Sequence, residues 1–286
     1  AGALTEPAPS PLHPHQPIQS MRYAVCSNDP AAIADSREAG FDYVEASVPG
    51  LVRPFEPEEA FEETLASYRA AGLPIESANL FLPPELRCTG PDAQPLDRLA
   101  EYAETVFRRL ARAGASVVVF GSGAARRLPD GWAKERADEQ FVALLGRIGP
   151  LAERHGVKIA VEPLARVECN YINTVDEGAA LARASGSPAV GVLADCYHWA
   201  RNGETADTIL AGGDVLLHAH LATLPSRKAP GIEPYDFVPF FRALAAAGYD
   251  ERVSVEGGLP PAEGRVAGLR AALEILRAAR DEARRG

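Results

Sequence analysis

The stretch GVKIAVEPLARVECNYINT, residues 156–174, decides how the rest of the chain is read. After a glycine, Val157, Ile159 and Val161 alternate with Lys158, Ala160 and Glu162; Glu168, Asn170 and Asn173 follow. Alternation with a period of two marks a strand. It sends the three β-branched residues to one face and leaves Glu162 on the other, at the carboxyl end.

The same unit recurs in both directions along the chain. Strands are predicted at 22–26, 43–46, 75–80, 117–120, 157–161, 190–194, 215–221 and 252–255. Helical stretches rich in Ala, Leu, Arg and Glu fall near 30–39, 57–71, 95–113, 134–155, 175–185, 203–212, 236–247 and 262–284. Gly40, Gly72, Gly114, Gly156 and Gly248 each stand where a helix should stop before the next strand. Eight strand–helix units in strict alternation imply a parallel sheet. A repeat of eight favours the closed (β/α)8 TIM barrel, an α/β fold in one domain over 21–286. An open doubly wound sheet is the alternative, because counting strands does not demonstrate closure.

The composition, 47% hydrophobic and 24% charged, is that of a globular chain with a sizeable core. Its net charge of −10 lacks the basic footprint that nucleic acid requires. No apolar run approaches the ~20 residues of a membrane span, so no membrane partner is expected. Cys26, Cys88, Cys169 and Cys196 are widely spaced, without a CxxC pair. They read as reduced thiols of a cytoplasmic protein. Residues 1–20 hold five prolines and no apolar signal core, and read as a flexible arm or a cloning remnant. Met21, the only methionine, is taken as the natural start.

Polar residues gather at the strand ends. Glu162 follows VKIAV, Asp195 follows AVGVLA, His220 follows VLLHA and Glu256 follows RVSV; Glu45 and Asn79 close the second and third strands. The carboxyl ends of barrel strands form the active-site mouth. Alternation places Val215, Leu217 and Ala219 outward, so His218 and His220 both point inward, and Val253 and Val255 leave Glu256 inward. Four ionisable groups thus converge from successive strands. Three carboxylates without a cation would repel one another and take up protons. With one imidazole they make a site for Mn²⁺, Mg²⁺, Co²⁺ or Zn²⁺. His220 lies nearer the mouth and is taken as the ligand; His218, a layer deeper, reads as a core or supporting histidine. His198 can reach the cavity from the loop after the sixth strand, whereas His155 sits at a helix C-terminus, where the dipole suffices to explain it.

The order ExxxxxE (162–168), DxxH (195–198), HxH (218–220) and VEGG (255–258) resembles the xylose-isomerase-like barrels of sugar isomerases and epimerases, most of all the ketose 3-epimerases of the tagatose and psicose type. The likeness covers nearly the whole chain after Met21. It implies a divalent ion, Mn²⁺ first, on Glu162, Asp195, His220 and Glu256, with Glu168 and His198 touching a sugar substrate. One position departs: the epimerases carry an arginine six residues after the ligand histidine, where this chain has Ser226 and then Arg227. The resemblance implies C3 epimerisation of a ketose, or ketose phosphate, through an enediolate, with Glu162 and Glu256 as the acid/base pair and Arg227 on the substrate. Aldose–ketose or hydroxypyruvate-type isomerisation and a non-catalytic sugar- or metal-binding barrel are the alternatives, and a homo-oligomer is left open. Backbone donors at Gly257–Gly258 and the pair Arg126–Arg127 are candidate phosphate contacts; Trp199 and Phe81 are candidate walls for the sugar. The Asn170–Thr174 segment is expected to fold Glu168 back over the mouth and cap the next helix.

Overall fold

The computed structural model describes residues 21–285; the expectations for residues 1–20 lie outside that range. Eight strands form a closed parallel barrel in sequence order. They are β1 (Arg22–Cys26), β2 (Tyr43–Ser47), β3 (Ile75–Asn79), β4 (Val117–Phe120), β5 (Lys158–Val161), β6 (Val190–Asp195), β7 (Leu216–Leu221) and β8 (Arg252–Val255). β8 pairs back onto β1 from Arg22↔Arg252 to Val25↔Val255, which closes the ring. A helix or helix pair returns the chain between strands. Among the described residues no helix is long and apolar enough to cross a membrane.

Each helix packs by one stripe. In Leu96–Ala113, Leu99, Ala103, Val106, Phe107 and Leu110 are buried, a spacing of three and four that lines one helical face. Gly114 ends that helix at φ 98°, donating its N–H to the carbonyls of Ala111 and Leu110. Only glycine takes up that left-handed turn without strain. The punctuation read from the sequence is therefore the real one. Most of the core lies between strands and helices, as with Val118, Phe120, Ile159 and Val161.

The inside of the barrel is divided. Val117, Val119, Ala160 and Leu193 form a small apolar cluster of their own, joined by Leu217. This overturns the outward placement of Leu217. β6 and β7 slip register, with Val192 opposite Leu216 but Leu193 opposite His218, so Leu217 is an extra residue. Such a bulge puts two consecutive side chains on one face. Alternation resumes after it, and His218 and His220 point inward as expected. A matching slip between β2 and β3, four strands away from β7, leaves Glu76 as the extra residue. Glu76 closes the charged side of the floor through Arg22 and Arg252.

The bulge depends on Gly191. A Cβ there would lie 2.2 Å from the Val215 carbonyl oxygen and 2.5 Å from Leu217 Cγ. Gly191→Ala is expected to cost about 1–3 kcal/mol through overpacking. Thermal or urea unfolding would check this; an unchanged midpoint would mean that the floor is loosely packed.

Candidate active site

Glu162, Asp195, His220 and Glu256 leave the ends of β5, β6, β7 and β8, and each offers one donor atom within 4.8 Å of the others. His220 Nδ1 lies 3.5 Å from Glu162 Oε1, 3.8 Å from Asp195 Oδ2 and 3.4 Å from Glu256 Oε2. Asp195 is fixed by its second oxygen, which accepts from the N–H groups of Tyr197 and His198 at the start of a short helix. Glu162 is fitted against Gly121, where any Cβ would come within 2.1 Å of Glu162 Oε2.

Three of these donor atoms, His220 Nδ1, Glu162 Oε1 and Asp195 Oδ2, are buried without a hydrogen-bond partner. Buried polar atoms are nearly always paired. Three unpaired acceptors converging on one point fit a cation, and three carboxylates with one imidazole fit a divalent one. A second grouping, Cys26, Glu45 and His220, is equally close. It fits less well, because His220 Nε2 is already bonded to Glu45 and burial keeps the Cys26 thiol protonated.

Beneath the cluster lies the residue to which the sequence reading gave no role. Glu45 is fully buried. Its Oε1 accepts from His220 Nε2 at 2.9 Å; its Oε2 accepts from His218 Nε2 at 2.7 Å, Ser77 Oγ at 2.7 Å and Ser254 Oγ at 2.8 Å. A carboxylate facing both Nε2 atoms keeps their hydrogens there and leaves the His220 Nδ1 lone pair aimed at the cluster. The signal was present: an inward glutamate two residues after an inward tyrosine, facing an HxH strand.

The charges polarise the site. Burial disfavours the Glu45 anion, but the histidines His220 and His218 outweigh it and hold the carboxyl well below its usual range. Burial alone would lower His220, yet Glu45 and Glu256 raise it well above an ordinary imidazole, so a cation binding here displaces a proton from Nδ1. His218 is lowered, burial outweighing Glu45. Glu162 is raised, by burial first and then by the Glu256 charge. Burial acts likewise on Glu256, but His220 and Arg227 bring it down to about 2. Two neighbouring carboxyl groups are thus pushed in opposite directions.

Around the cluster opens a cavity of ≈ 840 Å³, with Glu162, Glu168, His198, Arg227 and Glu256 on its wall. His198 Nδ1 accepts from the Ala165 N–H at 3.1 Å, so its hydrogen is on Nε2, facing the cavity. Arg227 reaches the site despite its one-residue offset, because its backbone is left-handed (φ 51°). Its Nη2 donates to Glu256 Oε2 at 2.5 Å and lies 3.3 Å from His198 Nε2. Glu168 faces the same space, 3.5 Å from Arg227 Nη1 and 3.9 Å from His198 Nδ1.

Other candidates fall elsewhere. Phe81 is buried against Phe107 and Phe120, and Trp199 packs on Phe240; neither walls the cavity. Arg126 is buried and donates to the carbonyls of Phe120 and Glu162, which holds loops rather than phosphate. The Gly258 N–H is occupied by the Arg227 carbonyl. Thr174 makes no side-chain cap; the Val175 N–H goes to Glu204, and Glu177 reaches back to the Asn173 N–H. His155 pairs with Glu104 at 2.8 Å.

The molecule has counterparts. At 28% identity over 248 residues, 85% of this chain and 79% of the other, it is similar to a ketose 3-epimerase of Arthrobacter globiformis. It is 27% identical over 240 residues to the 3-dehydro-D-guloside 4-epimerase of Escherichia coli, covering 77% of this chain and 84% of that one. The structure of a D-psicose 3-epimerase with D-tagatose from Clostridium cellulolyticum H10 shares its fold, with a TM-score of 0.75 at 20% identity over 91% of this chain and 99% of that one. A family model described as the xylose isomerase-like TIM barrel matches residues 33–279. The closed eight-stranded barrel and this match, which spans most of the chain, agree: the chain belongs to the xylose isomerase-like TIM barrel family.

Proposed function

We propose that the protein is a divalent-metal-dependent epimerase that inverts C3 of a neutral ketose. The observation that carries this reading is the convergence of three buried, unpartnered donor atoms from Glu162, Asp195 and His220 at the barrel mouth. Kinship supports the coarser statement, a sugar epimerase or isomerase; the ketose and the C3 position follow the relatives' names.

Glu162, Asp195, His220 and Glu256 would hold the ion, Mn²⁺ ahead of Mg²⁺, Co²⁺ and Zn²⁺. Once bound, such an ion polarises a carbonyl and acidifies the neighbouring C–H. Inversion then needs one carboxyl to take the C3 proton and another to return one to the opposite face. Glu162 and Glu256 stand at the ends of β5 and β8, with two strands between them. Their opposed pKa shifts suit two carboxyls with separate tasks. His198 Nε2 and Arg227 Nη2, nitrogens 3.3 Å apart that each carry a hydrogen, suit one shared substrate oxygen. Glu168 suits a hydroxyl farther along the sugar.

Five glutamates and two arginines line the cavity, Arg53 pairs with Glu56, and Arg227 pairs with Glu256. A phosphate would meet carboxylates with no free arginine to offset them. Free ketoses are therefore expected to exceed their phosphates in kcat/KM by about tenfold or more. A faster ketose phosphate would overturn the neutral-substrate assignment.

The reading is tested in D₂O with Mn²⁺-loaded and chelated protein. Metal-dependent deuterium at C3 supports it. Label entering at C1 instead indicates an aldose–ketose or hydroxypyruvate-type isomerase, and no washout of any C–H indicates a binding barrel.

A further inference from the structure

The cavity has two unlike halves. The reacting groups come from the ends of β5 to β8, whereas the side beyond β2 and β3 is mostly apolar: Pro49, Pro54, Phe55, Leu80, Pro83 and Tyr102 build it, alongside the Arg53–Glu56 ion pair and Glu85. Phe55 is 70% exposed and rests on Tyr102 with ring centroids 5.3 Å apart; Leu80 is 54% exposed. A monomeric protein gains nothing from apolar side chains held in water beside its active site.

Leu80 is also strained into that position. Its φ is 57°, a left-handed conformation that a leucine rarely adopts. The sequence reading ran β3 through Leu80; the strand instead ends at Asn79, and this turn throws the leucine outward. Of the five non-glycine residues with positive φ among those described, Arg53, Leu80, Ser122 and Arg227 line this one cavity. Strain of this kind gathers where a ligand is gripped.

Volume gives a separate reason. At ≈ 840 Å³ the cavity is near the top of the ~300–1,000 Å³ range of sites that enclose drug-sized ligands. A lone hexose would leave much of it empty, and the empty part is the apolar half.

We infer that the substrate is a neutral keto-sugar carrying an apolar substituent on the end remote from the reacting carbons, and that Phe55 and Leu80 receive that substituent. This rests on the epimerase reading for the reacting end. The cavity's carboxylates exclude an anionic extension, and because Arg53 and Glu56 on that side are engaged with each other, the wall offers few hydrogen-bond partners to a second sugar.

The test compares D-fructose, isomaltulose (a glucosyl substituent on O6) and 6-O-benzyl-D-fructose on Mn²⁺-loaded protein, by calorimetric affinity and by deuterium entry at C3. The benzyl ketose is expected to bind at least about tenfold more tightly than fructose, a step of ~1.4 kcal/mol. Phe55→Ala and Leu80→Gly should shrink that ratio. Both side chains are exposed, and glycine relieves the strain at position 80, so both variants should fold. Equal affinities, or isomaltulose in first place, overturn the apolar substituent. So does a wild-type oligomer that Phe55→Ala dissociates, since the rim would then be covered by a second copy. Failure of deuterium exchange on all three sugars refutes the C3 epimerase, while the affinity ratio still decides what the apolar half binds.

Discussion

Glu45→Gln is expected to weaken Mn²⁺ binding by about ten- to one-hundredfold, the usual cost of losing a partner behind a metal-binding histidine. Glu45 does this at a distance, through the tautomer of His220. With the carboxylate present, the Nε2 atoms of His218 and His220 both meet an acceptor, so the hydrogen that His220 keeps when a cation binds is the one on Nε2. Glutamine offers one acceptor oxygen and one NH₂ donor where four donors now converge. One imidazole must then meet a donor, and the proton that moves to Nδ1 blocks the lone pair facing Glu162, Asp195 and Glu256. Calorimetry or Mn²⁺ electron paramagnetic resonance measures the affinity, and imidazole ¹⁵N shifts report the tautomer. Ser77→Ala is the control: it removes one hydrogen bond to Glu45 but leaves both imidazoles their acceptor. If Glu45→Gln keeps full Mn²⁺ affinity, or Ser77→Ala loses as much, Glu45 only fills space.

The pair Glu162→Gln and Glu168→Gln should separate two carboxylates that lie six residues apart. Glu162 is buried, its backbone N–H is anchored to the Phe120 carbonyl, and its Oε1 joins the donor cluster. Its amide variant should lose metal retention and slow C3 exchange by about 10²–10⁴-fold, the usual contribution of a general acid or base. Glu168 is only partly buried, in the loop after β5, and is absent from the donor cluster. Its amide variant should keep the ion and lose substrate affinity or turnover. Metal content and deuterium incorporation read both variants. Metal loss from Glu168→Gln, with metal and exchange kept in Glu162→Gln, would reverse the assignment.

Much of the barrel was legible because its signals are local. Glycine at a helix end and period-two alternation in a strand are each set by neighbouring residues, so Gly114 and the run from Val157 to Glu162 could be read without partners. The mouth was legible for the same reason, since a residue two positions after an inward-facing one faces inward too. What escaped depends on residues distant in sequence. Leu217 turns inward because β6 gives it room at Gly191, and nothing in VLLHA announces that. Leu80 leaves the strand through a backbone conformation that its own identity disfavours. Phe81 is expected at the wall by adjacency, yet three other rings claim it for the core. Glu45 shows its direction in the sequence but not its partners, which come from three other strands.

The bulge in β7 has a consequence for how this chain can change length. Gly191 surrenders a side chain, and Leu217, an additional residue on the adjoining strand, fills the vacated volume. The two positions form an exchange across a strand boundary. Deleting Leu217 alone would leave a hole in the floor, and enlarging Gly191 alone would cause a collision. Made together, they would give an unbulged strand with the same filling, and His218 and His220 would keep facing inward, because alternation counted back from His220 never passes through Leu217. One codon can therefore be gained or lost beneath these two histidines while their direction stays fixed, provided the neighbouring strand changes with it.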